Sequence, residues 1–249
     1  MIADKNQLLD ILNRYNMTEI NAKDTHYDKG VFHLLISKKD ERDRTHIFHN
    51  FVFAFNRVLL FYEDILDYMQ RDELKYKILC ENSIILLITS LETYLRDSFK
   101  MLSCHRKIDD IDFRQLEKFL KCFRLRTSLD FDYYNSLKTE TLYSFLEREK
   151  KKRKLDFQRK DNLKIAFKLL DINLYELDRV LWEKIFTNED SWAELRHFII
   201  HSGGERTVYK FGSIDISKVE KCMENIAQFI FLLEKETIKK YPRTNYNRI

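Results

Sequence analysis

The chain has 249 residues, 44% hydrophobic and 34% charged, with 44 Lys and Arg against 40 Asp and Glu for a formal net charge of +4. This is the mixture of a globular chain long enough to bury a substantial core, and its small excess of positive charge neither requires nor opposes a nucleic-acid partner. One proline and four glycines argue against a turn-rich all-β fold and for long helices joined by short polar connections.

Residues 4–15 read as a short first helix, and residues 31–36 as a strand or buried connector. A long helix is expected over about 42–70, with Phe48, Phe51, Phe55, Leu59, Tyr62 and Leu66 at helical spacing. A second follows over about 72–103, its core positions being Leu79, Ile84, Ile85, Ile88, Leu91, Leu95 and Phe99. With almost no linker between them, the two read as an antiparallel pair. Shorter helical patterns lie near 112–126, 139–151, 160–170 and 174–187. Asp161, Asn162, Asp171 and Asn173 supply cap and turn chemistry between the later ones. A helix over 190–202 is followed by an extended piece over 207–212. A last helix starts at Asp215 or Ser217 and runs to Lys240, where Tyr241 and Pro242 stop it and a polar tail follows. The expected class is all-α.

Cys80, Cys104, Cys122 and Cys222 show no CxxC pairing and fall in helical patterns, as expected of reduced thiols in a cytoplasmic protein. Asp4, Lys5 and Asp10 break any apolar leader. The longest apolar run, residues 84–88, is too short to span a bilayer, so no membrane partner is expected. His46 and His49 are i,i+3, with His26 and His33 nearby, yet no third and fourth ligand at fitting spacing accompanies them. Cys104 and His105 stand at a helix end with no evident third partner. Neither a metal site nor a cofactor is expected, and no phosphate-binding glycine motif or nucleophile elbow occurs.

The segment with the most chemistry is Trp192-Ala193-Glu194-Leu195-Arg196-His197-Phe198-Ile199-Ile200-His201-Ser202-Gly203-Gly204. Two of the four glycines stand side by side here and stop the helix. At about 100° per residue, Trp192, Leu195 and Ile199 share a core face with Phe198 beside them. His197 and His201 lie on the opposite side, and Arg196, Ala193 and Ile200 fall between. A face that mixes isoleucine and histidine suits contact with a partner surface. Histidine moves protons near neutrality, and arginine forks onto phosphate oxygens. Together they suit RNA cleavage by the RNA's own 2′-hydroxyl. The same residue types also occur on ordinary surface helices, whose C-termini favour positive charge.

The segment 195–204 resembles the Arg-x4–6-His signature of the HEPN superfamily of ribonucleases, in which a polar residue often follows the arginine, as His197 does. Residues 90–99 (Ser-Leu-Glu-Thr-Tyr-Leu-Arg-Asp-Ser-Phe) resemble that family's second core helix. Residues 157–167, followed by Trp182, are similar to the approach to the motif in the RiboL-PSP-HEPN subgroup. The resemblance covers about 75–240. It implies a single domain over 1–249: an N-terminal helical extension over 1–70, a HEPN-like antiparallel bundle over 71–240 with extra mid-chain helices, and a flexible tail over 241–249. It also implies a homodimer that joins two Arg/His motifs in one cleft. That dimer would be a metal-independent endoribonuclease leaving a 2′,3′-cyclic phosphate, in a toxin or antiviral defence role, with a cognate antitoxin or defence-system protein as a further partner. By motif position, His201 is the general acid/base, Arg196 holds the scissile phosphate and His197 positions it. Glu92 is placed to aim Arg196. The alternative is a catalytically silent dimer of the same type that binds RNA or protein.

Residues 147–154 form the densest charge run, in which Lys150, Lys151, Lys152, Arg153 and Lys154 offer a grip on an RNA backbone, or a solvated helix end. Arg124 and Arg126 would extend such a surface.

Overall fold

The computed structural model describes residues 46–126, 128–149, 155, 157, 159–202 and 210–241. The expected elements over 4–15 and 31–36, the cations 150–154, Gly203 and Gly204 lie outside them. Every element among the described residues is helical. Among the described residues the one extended pairing is an isolated antiparallel bridge between Lys107 and Thr141. In chain order the helices are α1 (His46–Met69), α2 (Glu73–Ser103), α3 (Phe113–Cys122), α4 (Phe131–Ser136), α5 (Leu142–Glu149), α6 (Lys160–Leu169), α7 (Leu174–Leu177), α8 (Arg179–Trp182), α9 (Trp192–Ser202) and α10 (Ile216–Lys240). A 3-10 turn at Ile108–Asp110 and a π-helical turn at Glu183–Thr187 interrupt the series.

The long helices fall where the hydrophobic period placed them. The three residues between α1 and α2 form a tight turn on the Tyr68 carbonyl, and Asp72 caps α2 through Oδ1 to the Lys75 amide (3.0 Å). The shorter helices end earlier than expected. α3 stops at Cys122, not near 126, because Arg124 takes a left-handed backbone (φ 54°). The Leu125 amide then bonds the Leu120 carbonyl and the Arg124 amide bonds that of Lys121, a Schellman cap without glycine. Asp171 (φ 59°) closes α6 the same way, with Ile172 bonded to Phe167. The expected side-chain cap from Asn173 does not form. Asn162 is instead buried and accepts from the Cys122 thiol (2.9 Å). Lys210 and Phe211 are helical where an extended piece was expected.

The chain divides into two compact units. The first holds residues 1–91 and 180–234, the second 92–179 and 235–249, so all three divisions fall inside helices. In the first unit, Phe51, Phe55 and Ile65 of α1, Ile84, Leu87 and Leu91 of α2, and Ile226, Phe229 and Ile230 of α10 are all buried. Trp182 is fully buried against Phe186 (4.6 Å between ring centres) and Phe229 (6.3 Å). The Tyr76 hydroxyl accepts from the Ile216 amide at the start of α10 (2.9 Å). The second unit is built around Phe99, whose ring meets those of Phe119, Phe157 and Phe167 at 5.3–6.1 Å. Tyr241 closes it by donating to the Leu170 carbonyl (3.0 Å).

By length and composition α2 qualifies to cross a membrane, with an 18-residue window of mean hydropathy 1.4. The 84–88 run alone did not suggest this, because serine and threonine break the run without adding charge. The same helix buries Ile84, Leu87, Leu91 and Leu95 inside the protein, as a core helix must.

All four cysteines are free. Cys80 and Cys222 are buried, while Cys104 and Cys122 are only half-buried, and Cys104 lies just past the end of α2. Burial pushes the Cys80 thiol up to about 12. It raises Cys104 too, with Lys100 opposing and Glu147 adding to the shift. A thiol held in its protonated form is a poor nucleophile.

Candidate functional site on helix α9

α9 carries the arginine and both histidines of the Arg-x4-His segment. The π-helical turn ahead of it ends when the Asn188 amide bonds the Glu183 carbonyl. The chain then turns so that the Leu195 amide bonds the Ser191 carbonyl (2.9 Å) and α9 begins. The helix stops at Ser202, one residue before Gly203.

Packing divides the helix surface as the wheel requires. Trp192, Leu195 and Ile199 are buried. His197 and His201 are exposed, their ring centres 4.4 Å apart and tilted by 50°. Ile200 is 44% exposed, an unusual state for an isoleucine on a core helix. Arg196 stands at one edge of the buried stripe, half-buried, with its Nε shielded from solvent. Going round the helix from Arg196, the exposed arc passes Ile200 and Ala193, then His197, then His201. Five residues place Arg196 and His201 about 140° apart on the helix.

The far edge of the arc carries a residue that the sequence did not suggest. Lys210 Nζ lies 4.5 Å from the centre of the Phe198 ring and 5.2 Å from that of Phe211. The two rings meet edge to face at 5.3 Å. Lys218 fixes this segment by donating to the carbonyls of Phe211 and Ser213 (the latter at 2.7 Å). Gly212 supplies the left-handed turn between them (φ 69°). The exposed arc therefore has a cation at each edge, with two imidazoles and, next to His201, the exposed carboxylate of Glu194 between them. The only signal of this in the sequence is the Phe198–Phe211 pair, thirteen positions apart across the two glycines.

Glu92 is half-buried on α2. Arg126 is consumed by a bidentate pair with Glu149 (2.6 and 3.1 Å) and lies over the Tyr133 ring, so it is not a free cation for RNA. Arg124 is exposed and serves as the left-handed cap of α3. The His46 and His49 side chains lie outside the description. Among the described residues, no three His, Cys, Asp or Glu side chains converge as metal ligands would.

No family model matches this sequence, and no curated protein and no solved structure matches the chain.

Proposed function

We propose that the chain is a homodimeric HEPN-type endoribonuclease that needs no metal, its active site formed where the α9 helices of two copies meet. The observation that carries this reading is the exposed arc of α9: two imidazoles 4.4 Å apart, bordered by Arg196 and sharing their face with an exposed Ile200. Exposed imidazoles on an isolated helix face lack the dry cavity that strengthens electrostatic catalysis. A second copy seated on Ile200 would supply one. Leu74, Ile78 and Val180 are further exposed apolar residues of the same unit.

In the reaction, His201 takes the proton of a ribose 2′-hydroxyl. The freed oxygen attacks the adjacent phosphorus, and the bond to the 5′-oxygen breaks. That oxygen leaves with a proton from an imidazole of the second copy, giving a 2′,3′-cyclic phosphate and a 5′-hydroxyl. Arg196 holds the scissile phosphate and neutralises its growing charge, His197 positions it, and Lys210 offers a second contact to the RNA backbone. Glu92 as the group that aims Arg196, residues 150–154 as an RNA grip, cytoplasmic action, a toxin or antiviral role, and control by a cognate antitoxin or defence-system protein complete the proposal.

The test is cleavage of a mixed RNA pool in EDTA. Wild-type protein is expected to leave cyclic-phosphate ends, and His201→Ala to lose about a hundredfold or more in rate. If the wild type is folded and dimeric yet cuts nothing, the enzyme reading fails. Retained RNA binding would then favour the silent module.

A further inference from the structure

His197 and His201 stand one turn apart on the open face of α9, both exposed, with their ring centres 4.4 Å apart and their planes tilted by 50°. The helix itself fixes this neighbourhood, because side chains at i and i+4 lie one above the other. Two imidazoles are thus held together before any ligand arrives, which lowers the cost of binding one. Imidazole nitrogen is a ligand for zinc, nickel and copper. An ion held by one nitrogen of each ring, at about 2.0–2.1 Å, sets the ring centres about 4.5 Å apart when the two bonds make a right angle and about 5 Å apart at the tetrahedral angle. The observed separation matches the right angle. Tetragonal and octahedral ions use that angle, whereas zinc in protein sites is mostly tetrahedral.

The charges on this face are mixed. Glu194, exposed one turn before His197, shares the side of the helix with both histidines and favours a cation. Arg196 and Lys210 oppose one, but from the two edges of the arc, and Lys210 Nζ is drawn over the Phe198 and Phe211 rings. Among the described residues no third His, Cys, Asp or Glu joins the pair, so water completes the coordination.

We propose that His197 and His201 of one chain chelate a divalent transition ion of the copper(II) or nickel(II) type. The ion takes no part in the cleavage proposed above. It occupies the nitrogen lone pair with which His201 accepts a proton, so it inhibits the site. That consequence rests on the ribonuclease reading, whereas the binding does not.

The experiment is titration calorimetry of the full chain with nickel chloride, copper chloride and magnesium chloride. Copper is expected to bind more tightly than nickel, and magnesium, which seeks oxygen ligands, not at all. His197→Ala and His201→Ala each leave a single imidazole and should weaken nickel about a hundredfold. The paired change of His201→Ala with Ser202→His keeps the number of histidines and moves one of them about 100° round the helix. It should bind nickel as weakly as His201→Ala. Melting curves establish that each variant is folded. A nickel affinity as tight in the paired variant as in the wild type, or a wild type that binds neither nickel nor copper at submillimolar concentration, overturns the proposal. Bound nickel should also stop RNA cleavage, and EDTA should restore it; cleavage that continues with nickel bound overturns the inhibitory role. A chain that chelates nickel yet never cuts RNA refutes the ribonuclease reading alone. One that cuts RNA in EDTA yet binds no ion refutes the chelate alone.

Discussion

Glu81 is a residue whose environment fits its charge poorly. One carboxylate oxygen is buried without a hydrogen bond, and Lys77 Nζ reaches it only at 3.9 Å. Burial raises the carboxyl above its ordinary 4.5, and Lys77 opposes the shift without cancelling it. The folded chain therefore holds this proton more tightly than the unfolded chain. The group's unfavourable contribution appears as pH rises from about the unfolded value through the raised folded one, and it is complete above the latter. Glu81→Gln is expected to stabilise the protein at pH 7–8 by about 0.5 kcal/mol, allowing for the solvent screening of an incompletely enclosed group. The advantage should shrink as pH falls towards the ordinary carboxyl range. Thermal melts of both proteins across that interval measure it, and a constant offset at every pH would contradict the burial argument. The sequence shows Glu81 only as one more charge on an amphipathic helix, because the pattern does not reveal which flank residue the fold covers.

At the scale of elements, hydrophobic period located the long helices, missed α4, read the stretch that breaks into α7, α8 and a π-helical turn as one helix, and misplaced the end of α3. α1, α2, α9 and α10 repeat apolar residues over whole turns, so tertiary packing agrees with the local pattern. α3 ends on Arg124, a residue with no special preference for a left-handed backbone, where the expected terminator, glycine or asparagine, is absent; α6 ends on Asp171, which tolerates that backbone better. Arg124 bears a strain of about 1 kcal/mol that glycine would not. Arg124→Gly should therefore stabilise the protein by about 0.5–1 kcal/mol in chemical denaturation, less whatever glycine adds to the freedom of the unfolded chain. Asp171→Gly should gain less, because Asp171 also pairs with Arg106 (3.3 Å). Equal gains at the two positions would show that backbone strain alone sets the effect. The candidate site divides along the same line. The outward direction of His197 and His201 followed from the wheel, since a helix with one buried stripe leaves no other choice. Lys210 was hidden, because the Gly212 turn and the Lys218 clamp set its position, and no local pattern encodes either.

At the scale of the whole molecule, the question is whether one chain or two make the proposed active site. Arg196 and His201 leave the helix about 140° apart, Arg196 at the edge of the buried stripe and His201 on the open face. In the proposed dimer, a substrate phosphate held by Arg196 of one copy would meet His201 of the other more readily than that of its own chain. Two inactive variants then become a test. Mixed Arg196→Ala and His201→Ala chains, co-refolded to exchange partners, should regain part of the wild-type cleavage rate, since a heterodimer restores one intact arginine–histidine pair across its interface. Each variant alone should remain about a hundredfold or more below wild type. Ile200→Asp puts a charge at the centre of the proposed contact, so it should abolish both dimerisation and cleavage while leaving the melting curve of the fold nearly unchanged, since Ile200 is already 44% exposed. Heterodimers that form, as mass spectrometry would show, yet stay as inactive as either parent would place each Arg196–His201 pair within a single chain. The dimer would then close the site without supplying half of it.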